Sequence, residues 1–127
     1  MFQKVDYVMA MVSDMRRSVD FYQNLLGLKL KFQTPGWTEF DTGSTTLALH
    51  IAEPGTPAAT EPRAGSCTFG FSVEDLDQTF QQLKERGVRF VREPELRQKE
   101  GIRLAVCLDP DGLPISLAQP VRAAAHG

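Results

Sequence analysis

Residues 66–90, SCTFGFSVEDLDQTFQQLKERGVRF, predict a strand, a capped helix and the start of a second strand. The first third alternates apolar and small residues, which favours a half-buried strand. Asp75 is a good N-cap, because its side chain can accept bonds from the first free N–H groups of a helix. Leu76, Phe80 and Leu83 then recur on one helical face, and Gly87 suits the left-handed position that ends a helix.

The same plan occurs earlier, in residues 5–30, VDYVMAMVSDMRRSVDFYQNLLGLKL. The two glycines that would end the helices, Gly27 and Gly87, match at an offset of 60 residues. The strand, cap and helix-face residues instead match at an offset of 61, so the first copy is one residue longer. The matched pairs are Val12 with Val73, Asp14 with Asp75, Met15 with Leu76, Val19 with Phe80, and Tyr22 with Leu83. A self-match at one offset across strand, cap, helix face and stop predicts two copies of one unit.

Three more strands follow each helix in the predicted order, giving βαβββ twice. The predicted fold class is α+β, with two βαβββ modules forming a cupped, mixed β-sheet that carries its helices on the outer face. The sixth strand is expected to end before Pro94, and a tight turn over 109–112 leads into a last strand that begins at Leu113. A single domain is predicted, with a first module at 1–52, a Pro- and Gly-rich linker at 53–65, a second module at 66–120 and a frayed tail at 121–127, where His126 has no expected role.

Composition bounds the function. The 127 residues carry a net charge of −2 and 42% hydrophobic residues. No basic stripe of the kind that binds nucleic acid is present, and no apolar run approaches the length of about 20 residues of a membrane span. The N-terminus lacks the zones of a signal peptide, so a cytoplasmic protein without nucleic-acid or membrane partners is expected. Cys67 and Cys107 are expected to be buried free thiols.

Strand periodicity sorts side chains between a concave face and a face under the helices. Trp37 and Tyr7 could form a wall for a planar ligand or fill space. His50 could act as a general base, a ligand donor or a structural histidine, with Glu39 placed to orient it. Arg103 would suit an anionic group if it faces the concave side. The residues expected on the concave face are Tyr7, Met9, Met11, Trp37, Glu39, Thr46, His50, Ser66, Thr68, Arg103, Cys107 and Ser116, whereas Ile102, Leu104 and Val106 are expected under the helix.

Four segments together resemble one family. They are VSDMRRSVDFYQNLLGLKL (12–30), GSTTLALH (43–50), FSVEDLDQTFQQLKERGV (71–88) and LDPDGLPISL (108–117). In this order they are similar to the vicinal oxygen chelate superfamily, which includes glyoxalases, ring-cleaving dioxygenases, fosfomycin resistance enzymes and bleomycin resistance proteins. The resemblance implies paired βαβββ modules around a cup and a homodimer.

The resemblance also implies a divalent metal held by four strands in the enzymes of the family. Those ligand positions fall on Tyr7, Ala48, Thr68 and Ser116, of which none is a histidine or a carboxylate. We therefore expect no metal and no other cofactor. A relocated metal site built from His50, Glu39 and Asp41 remains an alternative.

Two functions stay open. The preferred one is a small-molecule-binding protein similar to the bleomycin resistance branch, whose ligand-binding residues would be Tyr7, Met9, Met11, Trp37, Glu39, His50, Thr68, Arg103 and Ser116. The alternative is a glyoxalase- or dioxygenase-like enzyme with a relocated or metal-independent site around His50, the candidate catalytic residue. An accessory module that acts only in assembly with other chains is a third possibility.

Overall fold

In the computed structural model, residues 1–53 and 64–121 are described. The chain divides into two compact units, Met1–Ala58 and Ala59–Gly127. The predicted linker and tail fall almost entirely outside the described residues, as does His126.

The first unit is a four-stranded mixed sheet with one helix. Its strands run in the order β1-β4-β3-β2, with β1 parallel to β4 and the other pairs antiparallel. The elements are β1 (Tyr7–Val12), α1 (Met15–Val19) continuing as a π-helical segment (Asp20–Leu25), β2 (Lys29–Gln33), β3 (Trp37–Asp41) and β4 (Thr46–Ile51).

The second unit repeats this architecture. Its strand order β5-β8-β7-β6 is the same plan, again with a parallel first pair and antiparallel neighbours. The elements are β5 (Phe69–Ser72), α2 (Leu76–Glu85), β6 (Arg89–Arg97), a short 3-10 turn (Gln98–Glu100), β7 (Ile102–Leu108) and β8 (Pro114–Pro120). The predicted α+β class and the two βαβββ modules are confirmed.

Matching hydrogen bonds begin and end the two helices. Asp14 and Asp75 each accept a bond from the backbone N–H three residues later. At the other end, Leu28 N–H donates to the carbonyl of Tyr22, whereas Val88 N–H donates to the carbonyl of Leu83. The donor and the acceptor of this hydrogen bond are six residues apart in the first unit and five residues apart in the second. The first helix contains one residue more than the second, and its wider π-helical turn accommodates that residue. This is why the helix-face residues match at an offset of 61 but the glycines after the helices match at 60.

Each helix packs on one face of its own sheet, and the core of each unit lies between that helix and that sheet. In the first unit Tyr22, Phe40 and Leu49 are fully buried. In the second unit Phe80 of α2 meets Phe90 of β6 with ring centroids 4.7 Å apart, above the buried side chain of Ile115. The faces turned away from the helices carry most of the candidate site residues.

The predicted faces of β7 are wrong. Ala105 and Cys107 are buried on the helix side, opposite Leu117 and Ile115, while Ile102, Leu104 and Val106 occupy the other face and are half-buried. The cause is the loop before β8. Leu108 pairs with Pro114 rather than with Leu113, so the loop is one residue longer than the predicted turn, and a one-residue slip exchanges the two faces of a strand.

The predicted end of the sixth strand is also wrong. β6 continues through Pro94 to Arg97. Pro94 is tolerated because β6 is an edge strand and its pairing with β7 shifts register between Arg92 and Glu95. No helix among the described residues is long and apolar enough to cross a membrane.

Candidate functional site

The face of the first sheet turned away from α1 is the candidate site, and we call it the open face. Register places its residues in three rows across β1, β4 and β3: Tyr7, Thr46 and Asp41; Met9, Ala48 and Glu39; Met11, His50 and Trp37. Tyr7, Met9 and Met11 are 54, 45 and 50% exposed, although large apolar side chains usually avoid water at this density. The predicted grouping of Tyr7, Met9, Met11, Trp37, Glu39 and His50 on one face is therefore what the structure contains.

A series of polar contacts, which we call the polar chain, links Trp37, Glu39, Lys31 and Thr46 across the open face. The indole N–H of Trp37 donates to Glu39 Oε2 at 2.8 Å. Lys31 Nζ lies 3.9 Å from Glu39 Oε1 and donates to Thr46 Oγ1 at 3.0 Å. The chain thus joins β2, β3 and β4.

Sequence periodicity did not identify Lys31 as part of this face. The pairing of β2 with β3 shifts register between Leu30 and Phe32, which leaves Lys31 at a bulge. A bulge re-aims a side chain, and here it lets the amine of Lys31 cross β3 toward Thr46. A bulge of this kind leaves no pattern in hydrophobicity that periodicity could have detected.

Two aromatic rings converge over the sheet. Tyr7 and Trp37 are separated by one intervening strand and a four-residue offset, so strand geometry puts their Cα atoms about 16 Å apart. Their ring centroids are nevertheless only 6.2 Å apart, at an interplanar angle of 75°. Both side chains must lean toward each other above the middle row, where Ala48 is fully buried. The edge-to-face arrangement is one that aromatic pairs favour.

His50 is exposed at one end of the open face. Its ring stands at 83° to the Trp37 ring, with centroids 5.8 Å apart. Its Nδ1 lies 2.7 Å from the carbonyl oxygen of Ile51. A backbone carbonyl can only accept a hydrogen bond, so Nδ1 is the donor in this contact, and Nε2 is the acceptor whenever the ring is the neutral imidazole.

The expected partnership of Glu39 with His50 is not formed. Glu39 is bonded to Trp37, and Asp41 Oδ1 accepts a bond from the N–H of Gly43 at 2.9 Å. Accordingly, no group of three His, Cys, Asp or Glu side chains that could hold a metal occurs in residues 1–53 and 64–121.

The second unit contributes small side chains on the face away from α2. Ser116 is half-buried between Gly70 and Val106, and Thr68 is exposed just before β5 begins. A Cβ atom at Gly70 would lie 2.9 Å from the Ser116 Cβ, so only glycine fits there. Thr68 and Ser116 therefore place hydroxyl groups near the backbone of Gly70, which carries no side chain.

Arg103 does not face the predicted ligand side, which corrects the sequence-based expectation. It lies on the helix side of β7 and forms two bonds with Asp77 of α2, at 2.7 and 3.0 Å. The hydrogen bond from Arg103 lowers the pKa of Asp77, and the same bond raises the pKa of Arg103. The register of β7 explains the error, and the guanidinium fastens α2 to its sheet.

Cys107 is also on the helix side and is fully buried, as expected of a structural thiol but not of a concave-face residue. Burial raises the pKa of its thiol to about 11. Cys67, by contrast, is exposed, so the expectation that both thiols are buried is wrong for it.

Known proteins share this sequence pattern and fold. A model of the "Glyoxalase/Bleomycin resistance protein/Dioxygenase superfamily" matches residues 4–117. The uncharacterized protein YraH of Bacillus subtilis is 29% identical over 117 residues, covering 85% of this chain and 91% of that protein. The metallothiol transferase FosB of Lysinibacillus sphaericus is 26% identical over 112 residues, covering 87% and 77%.

A solved structure agrees in fold. The glyoxalase family protein of Enterococcus faecalis superposes with a TM-score of 0.79 at 22% identity, covering 92% of this chain and 98% of that one. The family model spans both βαβββ units, from before β1 to within β8. The chain therefore belongs to the glyoxalase/bleomycin resistance protein/dioxygenase superfamily.

Proposed function

We propose that this protein binds a flat, uncharged aromatic small molecule on the open face of its first sheet, in the manner of the bleomycin resistance branch of its family. The observation that carries the proposal is the convergence of Tyr7 and Trp37 beside exposed Met9 and Met11. Aromatic rings and thioethers together form an adaptable apolar surface for a planar partner.

The charge of the ligand follows from the polar chain. Glu39 and Lys31 lie against each other, so neither presents an unpaired charge beside the rings. Lys31, the cation beside Glu39, is already within salt-bridge distance of that carboxylate, and an anion would lose hydration on contact with the apolar side chains of this face. A neutral ligand is therefore favoured over an anionic one.

The donor atoms do not fit the metal that enzymes of the family hold. The positions that correspond to its ligands carry the phenol of Tyr7, the buried methyl of Ala48 and the hydroxyls of Thr68 and Ser116. A catalytic divalent metal takes about three nitrogen, thiolate or carboxylate ligands. We infer that these positions have lost the metal ligands of the family.

The test is equilibrium dialysis with acridine, acridine-9-carboxylate and N-methylacridinium at neutral pH. We expect saturable binding of acridine with one molecule per chain, and the carboxylate should bind at least about tenfold more weakly. Trp37→Leu and Tyr7→Leu should each weaken acridine binding about 3- to 10-fold, which is the usual contribution of an aromatic pair. Phe2→Leu removes an exposed aromatic ring elsewhere and is the matched control. Binding that is indifferent to Trp37 and Tyr7 would refute the proposal.

A second candidate, an enzyme, is favoured by the relatives named metallothiol transferase. In this chain such an activity would centre on the Nε2 atom of His50, the acceptor nitrogen of the ring. Consumption of a thiol together with an epoxide as acceptor, in which a sulfur–carbon bond forms as a ring carbon–oxygen bond breaks, is measured with and without Mn²⁺ beside FosB of Lysinibacillus sphaericus, and it separates the two candidates. Turnover that is lost in His50→Ala would support the enzyme and count against simple binding.

Cellular context completes the proposal. We propose a cytoplasmic homodimer on the basis of the family resemblance. Sedimentation of the purified protein at micromolar concentration tests the dimer directly.

A further inference from the structure

The ring of Trp37 has a fixed direction because of one carboxylate. Trp37 and Glu39 are two residues apart on β3 and therefore point to the same face. The indole N–H reaches Glu39 Oε2 at 2.8 Å, which directs the ring along the strand and not outward into water. This direction brings Trp37 to within 6.2 Å of the Tyr7 ring.

Glu39 is itself held in place. Its second oxygen, Oε1, lies 3.9 Å from the amine of Lys31, which is anchored to Thr46. Its register partners are Phe32 on β2 and Ala48 on β4, and the methyl of Ala48 leaves room for side chains to lie above it. A carboxylate that is held at one oxygen by an ion pair can orient the group bonded to its other oxygen, because it loses little rotamer freedom when it does so.

We propose that Glu39 is a positioning residue, which holds the Trp37 indole against the sheet so that the Tyr7–Trp37 surface is formed before a ligand arrives. The benefit to ligand binding rests on the proposed function, whereas the positioning of Trp37 by Glu39 does not depend on it. The carboxylate acts through Trp37 and is not expected to contact the ligand itself. Preorganisation of this kind raises affinity by reducing the ordering cost of binding.

The chain offers a direct readout, because Trp37 is its single tryptophan. The protein therefore has one indole N–H resonance, whose chemical shift and exchange rate report the bond to Glu39 in the absence of any ligand. Glu39→Leu should move this resonance upfield and speed its exchange about tenfold or more. Glu39→Gln keeps an oxygen acceptor at the same position and should restore most of the protection.

Asp41→Asn is the matched control. It removes a carboxylate from the same strand and the same face, but from a side chain whose bond goes to Gly43 and not to the indole. It should leave the indole resonance unchanged. An indole N–H that is equally protected in wild type and Glu39→Leu would overturn the inference whatever the protein binds.

The binding arm separates this inference from the proposed function. If acridine binds the wild type, Glu39→Leu should weaken it about 3- to 10-fold and Glu39→Gln by less than about twofold. If Glu39→Leu frees the indole while acridine affinity is unchanged, the positioning role is refuted although binding stands. If acridine does not bind the wild type but the indole responds to Glu39→Leu, the geometry of the inference is supported and the proposed function fails.

Discussion

Lys31 determines which charge a ligand meets beside Trp37. Its amine lies near Glu39 and cancels that carboxylate. Lys31→Met would leave Glu39 as an unpaired, half-buried anion at the edge of two aromatic rings. We expect the affinity for N-methylacridinium to rise about 3- to 10-fold relative to acridine, because cation–π and charge attraction then act together. Equilibrium dialysis with both probes measures the ratio.

The control for this prediction is Lys29→Met, which removes an exposed lysine from the same strand. Lys29 is the register partner of Asp41 and lies away from Glu39. It should leave the ratio of the two affinities near the wild-type value. An unchanged ratio in Lys31→Met would show that Glu39 is neutralised by some other means.

The two cysteines should differ sharply in reactivity. Cys67 is exposed, whereas Cys107 is buried and burial raises the pKa of its thiol to about 11. Only the thiolate is a nucleophile. At pH 7.5 a disulfide reagent such as dithionitrobenzoate should therefore label Cys67 in the folded protein and Cys107 only after denaturation. Intact mass and peptide mapping identify the labelled site, and two rapid labels on the native protein would contradict the assignment.

The thiol of Cys107 also has a consequence for alkaline stability. Its folded pKa lies above the unfolded value of about 8.5, so the folded state holds the proton more tightly. The stabilisation is complete below pH about 8.5 and is lost as pH rises through 11. Cys107→Ala lacks this titration. The difference in free energy of unfolding between wild type and Cys107→Ala should shrink from pH 8 to 11, as measured by urea denaturation.

At the scale of elements, the π-helical segment breaks the repeat between the helix cap and the glycine that ends the helix. The cap-to-glycine distance is 13 residues from Asp14 to Gly27 and 12 from Asp75 to Gly87. Deletion of exposed Asn24 should give the first helix the spacing of the second. Its visible cost is the bond from Asn24 to Asp20, so we expect a loss of about 1 kcal/mol or less in the free energy of unfolding.

Deletion of Gln82 from α2 is the matched test. It removes an exposed residue from a helix without a surplus residue, and it turns Leu83 about 100° away from its buried position. We expect a loss of about 2–5 kcal/mol. Urea denaturation followed by circular dichroism compares the two deletions. Equal losses would mean that the π-helical turn is not a simple one-residue insertion.

The loop before β8 depends on Asp109, which is buried and accepts bonds at Oδ1 from the N–H groups of Asp111 and Leu113. Its own N–H donates to the carbonyl of Leu113. These bonds stabilise a five-residue connection where the sequence predicted four residues. The register of β7, and with it the faces of Arg103 and Cys107, follows from that one added residue.

At the scale of the molecule, the sequence predicted the repeated strand–helix–strand pattern of the two units. It did not predict local features, namely the register of β7 and individual side-chain hydrogen bonds. The match at offset 61 depends on cap, strand and helix-face residues, and these decide the fold in both units. In β1 the residues Val8, Ala10 and Val12 alternate with the larger Tyr7, Met9 and Met11, and in β4 Leu47 and Leu49 alternate with Thr46, Ala48 and His50, so the faces of these strands were predictable. β7 was not, since IRLAVCL is apolar at both parities and only loop length decides between them. The Lys31–Thr46 bond depends on side-chain direction at the bulge of β2, and the Glu39–Trp37 bond depends on the rotamers of two residues on one face of β3. Periodicity encodes neither of these directions.

The two units share strand order but not chemistry, and this difference leads to the last prediction. The first open face carries aromatic rings and methionines, whereas β5, β8 and β7 carry glycine, serine and aliphatic residues on the corresponding face of the second sheet. With no imidazole or carboxylate at Tyr7, Ala48, Thr68 and Ser116, added Zn²⁺, Ni²⁺ or Mn²⁺ should not stabilise the protein. A site occupied at 100 times its Kd would add about 2.7 kcal/mol, which a thermal melt detects easily.

The melting temperature of the wild type should therefore stay constant within about 1 °C as the metal concentration rises. A wild-type melting temperature that rises with metal and returns to its starting value in His50→Ala would instead place a metal on the open face itself. It would make the enzyme the better account of the protein, because a Lewis acid beside His50 supplies chemistry that a binding surface does not need.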